Sequence, residues 1–164
     1  AAASHELKDI EKDVRKILRA KQKKDADKVP SGAVGCAAID YLTRLCLAGE
    51  EAAVLDDYLA PLLSDERRLK ASWCNDLARA AIHYLGRNKY KRAVPFLIEM
   101  IPEPLPKNPN DPKNPPESYW KVRVALWHVS EGWARWALKE TTGQEFRSYR
   151  EWDAWLKLNR KDYR

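Results

Sequence analysis

The sequence predicts an all-α protein, an α/α superhelix (α-solenoid) of about three helix pairs with a further helix capping its N-terminal end. A short amphipathic phrase occurs in two close copies, AIDYLTR at residues 38–44 and AIHYLGR at 81–87. A third segment, ALWHVSE at 125–131, has a similar pattern of apolar residues. Apolar residues recur at helical spacing through most of the chain. No segment shows the sustained alternation of apolar and polar residues that is typical of strands.

The interval between these phrases indicates a repeat. It is 43 residues in the first case and 44 in the second, which leaves room for a helix with the phrase, a short turn and a second helix. One such pair cannot bury its apolar faces alone, whereas stacked pairs share a continuous core. The period lies within the roughly 40–47 residues of HEAT and armadillo units.

The first half of the chain divides into three predicted helices. The first lies within residues 4–28 and has one narrow apolar stripe among charged residues, and Pro30 and Gly32 then mark a turn. The second runs from Ala33 to Leu47, and the third runs from Glu51 to Leu63.

The second half contains longer helices and an insert. The fourth helix, from about Asp65 to Leu85, has two neighbouring apolar stripes, which predicts that it is covered on more than one side. Pro95 is tolerated in the fifth helix only within its first turn. Ser148 and Glu151 have the spacing of a capping box for the last helix. Over a single domain, 1–164, the prediction is an N-terminal helix at 4–28, helix pairs at 33–63, 65–101 and 118–158, and a proline-rich insert at 102–117.

The insert holds seven of the ten prolines within residues 102–116, so it is predicted to be extended. Either it is a surface spacer, or it lies over the helices and shapes part of a binding face.

Three stretches carry a resemblance to a known family, the bacterial HEAT-repeat proteins, including the HEAT-like repeats grouped with phycobilisome lyases. YLAPLLSDE at 58–66 is similar to the end of a second HEAT helix, and AIHYLGRNKYKRAVPFLIEMI at 81–101 is similar to a whole unit. ALKETTGQEFRSYREWDAWL at 137–156 resembles the terminal cap of such proteins. The residues that match this cap are Thr142, Gly143, Phe146, Trp152 and Trp155. The resemblance implies a scaffold that binds other molecules, and it implies no particular chemistry.

The amino-acid composition narrows the possible functions only slightly. The net charge of +6 favours anionic partners, but the basic residues are spread along the chain and are typical of a solvated surface.

Cys36, Cys46 and Cys74 have no metal-binding spacing and are predicted to be buried free thiols. The chain starts with AAASHELK and without methionine. That start favours a processed, exported (periplasmic) chain over a cytoplasmic one, with no apolar signal core to decide.

No catalytic constellation is recognisable, so the sequence predicts neither an enzyme nor a cofactor. His83 and His128 fall near equivalent repeat positions, but packed or surface histidines explain them better than a metal pair does.

Six of the seven tryptophans lie in the last 45 residues. They are predicted to seal the end of the stack, with an exposed aromatic patch for a partner as the alternative.

Two binding functions remain. The leading prediction is a non-catalytic interaction scaffold or adaptor that binds another protein along the second helices of the pairs. This partner-binding face comprises Lys89, Arg92, Glu99, Arg150, Asp153 and Lys157. The alternative is nucleic-acid (DNA) binding through a basic face, which Glu50, Glu51, Asp56 and Asp57 would interrupt. Its predicted contacts are Arg87, Lys89, Lys91, Arg92, Arg150 and Lys157.

Overall fold

The fold is all-helical. The computed structural model describes residues 2–19, 32–64, 74–108 and 111–163, and these contain seven helices and no strand. The helices are α1 (Ala2–Arg19), α2 (Gly32–Arg44), α3 (Glu51–Leu63), α4 (Cys74–Arg87), α5 (Val94–Glu99), α6 (Glu117–Thr142) and α7 (Tyr149–Asn159). None of these helices is long and apolar enough to cross a membrane.

Helix α3 changes its geometry along its length because of Pro61. It is α-helical over Glu51–Ala53, π-helical over Val54–Leu59 and 3₁₀-helical over Ala60–Leu63. Pro61 has no N–H and its ring would clash with the carbonyl four residues earlier. The helix accommodates it by widening before the proline and tightening after it.

The predicted and observed helices differ mainly at their ends. Helix α1 ends at Arg19, and the remainder of the predicted 4–28 helix lies outside the described residues, as do residues 65–73 of the predicted fourth helix. Helix α2 begins at Gly32, where a turn was predicted, and ends at Arg44 rather than Leu47. Helix α5 ends at Glu99, and the next two amides bond to carbonyls three residues back.

The two close copies of the repeated phrase are each followed by the same type of helix C-cap. After α2, the Leu47 amide donates to the Leu42 carbonyl at 2.9 Å, and Cys46 has a φ of 55°. After α4, the Tyr90 amide donates to the Leu85 carbonyl at 3.0 Å, and Lys89 has a φ of 50°. Both are Schellman C-caps, which usually place glycine at the left-handed position. The two left-handed residues are separated by the same 43 residues as the phrases.

Helices α2, α4 and α6 contact one another in chain order, with α4 in the middle. Two side-chain contacts connect α4 to the α2 segment. Arg79 forms an ion pair with Asp40 at 3.8 Å, and Arg87, eight residues later, donates to the sulfur of Cys46 just after α2 at 2.9 Å. Later residues of α4 therefore meet later residues of the α2 segment, so the two helices run in the same direction. Helix α3 also packs on α4, and α5 packs on both α6 and α7.

The close approach of α4 and α6 depends on a glycine. A Cβ added at Gly86 would lie 2.6 Å from the Cβ of Ala137 and 2.8 Å from its Cα. The two stripes predicted on the fourth helix are both covered within α4, in agreement with an interior position. The buried residues of α4 are Cys74, Leu77, Ala78, Ala80, Ala81, Ile82, Tyr84, Leu85 and Gly86.

Helix α1 docks onto α2 and onto a buried carboxylate. Glu50 is only 2% exposed and accepts hydrogen bonds from Arg15 at 3.0 Å and Arg19 at 2.9 Å. Burial raises the pKa of Glu50, but the hydrogen bonds from Arg19 and Arg15 outweigh it and hold the pKa below its usual value. The prediction that Glu50 interrupts a surface groove is therefore wrong, since this carboxylate faces inward.

The tryptophans of the last two helices are mostly covered. Trp152 and Trp127 are buried, whereas Trp133 is 41% exposed and packs beside His83 with ring centroids 5.9 Å apart. Burial lowers the pKa of His83, and the nearby charges of Arg87 and Arg79 lower it further.

Among the cysteines, which are all free, Cys74 is buried and Cys36 is half-buried, but Cys46 is exposed. The prediction of a buried thiol is wrong for Cys46 because the chain turns outward there at the end of α2.

Candidate interaction groove

A groove separates α5 and α7 and also involves the residues that follow α7. A single 3₁₀ turn, Lys91–Ala93, leads into α5, and Pro95 occupies the first turn of that helix, where its missing N–H costs nothing. The Ser148–Glu151 capping box, predicted from the sequence and present in the structure, starts α7. The space between them has a volume of about 480 Å³, which is within the ~300–1,000 Å³ of ligand pockets. The α5–α7 groove is lined by Arg92, Pro95, Phe96, Asp153, Leu156, Lys157, Arg160 and Tyr163.

The floor of the groove is apolar. Pro95, Phe96, Leu156 and Tyr163 are each half-buried, so part of every side chain faces the opening. The Tyr163 ring lies 5.1 Å from the ring of Trp155, which in turn packs at 5.8 Å against the buried Trp152. This chain of aromatic contacts connects Tyr163, one of the four floor residues, to the core.

The rim of the groove is mainly cationic. Arg92 donates to the Tyr90 hydroxyl at 3.1 Å and lies 3.6 Å from Asp56, with both charged side chains about half exposed to solvent. Lys157 pairs with Asp153 at 2.7 Å, one turn back on α7. Arg160 is exposed and makes no ion pair within the part of the chain that the structure describes. Just outside the groove, the Lys91 ammonium lies 5.7 Å from the centroid of the Tyr163 ring.

The structure brings together part of the predicted partner-binding face. Arg92, Asp153 and Lys157 line the groove. Lys89 occupies the left-handed cap position shortly before Arg92. Glu99 lies at the end of α5, where its carboxylate binds Arg123 and its carbonyl accepts a hydrogen bond from Trp127.

Arg150 lies in the first turn of α7, outside the groove lining, and is exposed. Phe96 and Leu156 belong to the helically spaced apolar residues of the sequence, and this spacing alone does not identify them as groove residues. The same pattern marks an apolar residue in a core and one on the floor of a cleft.

The predicted nucleic-acid contacts are less concentrated. Arg92 and Lys157 line the groove, but Arg87 lies at the end of α4 and donates to the Cys46 sulfur. Arg92 and Lys157 also each have a carboxylate within 4 Å. The face is therefore a set of local basic positions, and the described residues do not form one unbroken basic stripe along a helix.

A second pocket, of about 690 Å³, lies between α6 and the turn before α7. Three of its charged side chains, those of Arg135, Lys139 and Glu145, bond to other groups of the protein. Arg135 donates to the Phe146 and Arg147 carbonyls at 3.0 Å, and Lys139 pairs with Glu145 at 2.8 Å. These contacts fasten the turn between the helices.

Within the described ranges, no group of three or more His, Cys, Asp or Glu side chains is arranged to hold a metal ion. Comparison with protein-family models, with curated proteins and with solved structures finds no match to this chain. The resemblance to HEAT-repeat proteins therefore stays a prediction.

Proposed function

We propose that this protein is a non-catalytic interaction module that binds a segment of another protein in the α5–α7 groove. The observation that carries the proposal is the combination of an apolar floor with a cationic rim in one cleft. Apolar area excludes water from a partner, and peripheral charge selects and orients it. The packing of Tyr163 against Trp155 also reduces the side-chain entropy that binding would cost.

We further propose that the helices form a HEAT-like solenoid of three pairs. Three features support this arrangement: the α2–α4–α6 contacts in chain order, the shared direction of α2 and α4, and the matching caps at Cys46 and Lys89. In this arrangement α3, α5 and α7 are the second helices of the pairs, and the groove lies between the last two of them.

Charge reversal tests the interaction function. The double variant Arg92→Glu/Lys157→Glu changes two groove residues, and Lys12→Glu/Lys16→Glu on α1 makes the same change in net charge at exposed positions elsewhere. Each protein is immobilised at equal density and exposed to lysate, and captured proteins are quantified by mass spectrometry. We expect partners that are lost with the groove variant and kept with the α1 variant. Identical partner sets for all three proteins would refute the function.

Nucleic-acid binding remains the alternative function, supported by the exposure of the basic side chains of Lys89, Lys91 and Arg150. If it is correct, the logarithm of the affinity for duplex DNA falls with the logarithm of salt concentration with a slope of about −0.9 per neutralised phosphate. Fluorescence anisotropy over a salt series measures this slope, and a dissociation constant no tighter than ~10⁻⁴ M at low salt excludes specific use of DNA.

The start of the proline-rich insert is attached beside the groove. The Tyr119 hydroxyl donates to Glu103 at 3.2 Å, and Glu103 and Asp153 are near enough for their charges to interact. Burial raises the pKa of Glu103, and the bond from Tyr119 opposes that rise. We propose that this attachment lets the insert shape one end of the groove. Replacing Pro104–Pro106 with Gly-Ser-Gly should then change partner affinity without loss of helicity, whereas unchanged affinity would identify the insert as a spacer.

A further inference from the structure

We infer that the α5–α7 groove is built for an acidic peptide segment with one large apolar side chain between its carboxylates. This inference rests on the proposed interaction function and adds the chemistry of the ligand. It follows from two properties of the groove: what the floor can bury, and which charges on the rim remain open to a ligand.

The floor accepts an aliphatic or aromatic side chain. Its four residues come from two separate parts of the chain. Pro95 and Phe96 belong to α5, whereas Leu156 belongs to α7 and Tyr163 follows that helix. Since all four are half-buried, a side chain placed between them would lose water from its own surface and from theirs. The volume of about 480 Å³ leaves room for one such side chain and the adjoining backbone.

The rim selects acidic neighbours for that side chain. Three of its four charged residues are cations, and its single carboxylate, Asp153, is already paired with Lys157. Arg160 is left without an ion pair among the described residues, and Arg92 combines a hydrogen bond to the Tyr90 hydroxyl with a long ion pair of 3.6 Å to the exposed Asp56. A guanidinium binds a carboxylate through two parallel hydrogen bonds, which is stronger and more directional than the contact with an ammonium. Charge complementarity therefore favours carboxylates on the ligand and disfavours a basic segment.

A peptide is favoured over a polyanion because of the floor. Duplex nucleic acid presents phosphates at regular spacing and would use the cations but leave the apolar surface uncovered. A peptide with a central leucine uses both. The two ligands thus differ in whether the apolar centre contributes to affinity.

The test uses three fluorescein-labelled nine-residue peptides and anisotropy titrations at ~50 mM and ~200 mM salt, a range over which exposed charge pairs are progressively screened. The first peptide has a central leucine with four acidic residues on each side, the second has serine at the centre, and the third has lysines in place of the acidic residues. We expect the first to bind more tightly than the second by about tenfold to a hundredfold, the range that burial of one leucine side chain provides. The lysine peptide should not bind.

Two variants locate the site. Arg160→Glu should weaken binding of the leucine peptide about tenfold or more, whereas the control Lys12→Glu, with the same change in net charge, should leave it within twofold. Circular dichroism checks that both variants fold, and neither side chain makes an ion pair in the described structure that its loss would break. Unlabelled duplex DNA is added as a competitor.

Equal binding of the leucine and serine peptides, or equal effects of Arg160→Glu and Lys12→Glu, would overturn the inference. Displacement by duplex DNA together with an unimportant peptide centre would identify a polyanion surface instead. If the acidic peptide fails while captured partners still depend on Arg92 and Lys157, the interaction function stands and only the ligand chemistry is wrong.

Discussion

Replacing Gly86 with alanine tests whether α4 and α6 are packed as closely as the structure has them. Gly86 is buried in the last turn of α4. The added Cβ would lie 2.6 Å from the Ala137 Cβ, and 2.8 Å from both the Ala137 Cα and the ring of Trp136. Backbone at this distance cannot rotate away as the end of a long side chain can, so one helix has to shift.

The magnitude follows from two opposing contributions. Alanine gains up to about 1 kcal/mol over glycine in a helix interior. Forcing an extra methyl into a well-packed core costs about 1–3 kcal/mol, and the backbone contacts at Gly86 place this cost at the upper end. The net loss is about 2 kcal/mol. Gly132 in α6 provides the matched control, because it is exposed and a Cβ there meets nothing within 4 Å. Gly132→Ala should stabilise by about 1 kcal/mol.

Urea denaturation followed by circular dichroism measures both free energies of unfolding, with unchanged slopes required for the comparison. For a chain of this size each 1 kcal/mol corresponds to about 2–4 °C in the melting temperature. Gly86→Ala should therefore lower the melting temperature by about 4–8 °C, while Gly132→Ala raises it by about 2–4 °C. Equal stabilisation by the two substitutions would show that α4 and α6 are further apart than described.

Three other predictions concern single contacts. Glu50→Gln should cost about 2 kcal/mol at pH 7, less than the ~3–5 of a fully buried pair because the Arg19 side chain is 63% exposed. Since the folded pKa of Glu50 is depressed, its contribution is complete above the unfolded value of about 4.3 and is lost as pH falls further through the folded pKa. Acid titration of stability should thus be flatter below pH ~4 in Glu50→Gln than in the wild type, and parallel curves would contradict the buried pair. Lys89→Gly should stabilise by about 1 kcal/mol in thermal melts because it relieves a left-handed non-glycine residue, and a loss of stability would contradict that strain. Ser148→Ala should cost about 1 kcal/mol through loss of the capping box, and a neutral result in urea unfolding would show that the cap is not needed.

The features that sequence reasoning predicted correctly are local ones. Helix α3 spans the predicted Glu51–Leu63, and the Ser148–Glu151 cap forms as its spacing indicates. These features depend on residues within one or two turns of each other, so propensity and spacing are enough to predict them. The interior position of α4 was also predictable, because a helix with two apolar stripes has to be covered twice.

The features that only the tertiary structure decided join residues distant in the chain. Glu50 looked like a surface acid until Arg15 and Arg19 of α1 were found beside it. Phe96 of α5 and Leu156 of α7 have the helical spacing of core residues, but the structure places them in the lining of an open groove. Hydrophobic periodicity reports which side of a helix avoids water, but it contains neither the distance nor the direction of the neighbouring helix. Those depend on side chains from several helices packing at once, as they do around Gly86.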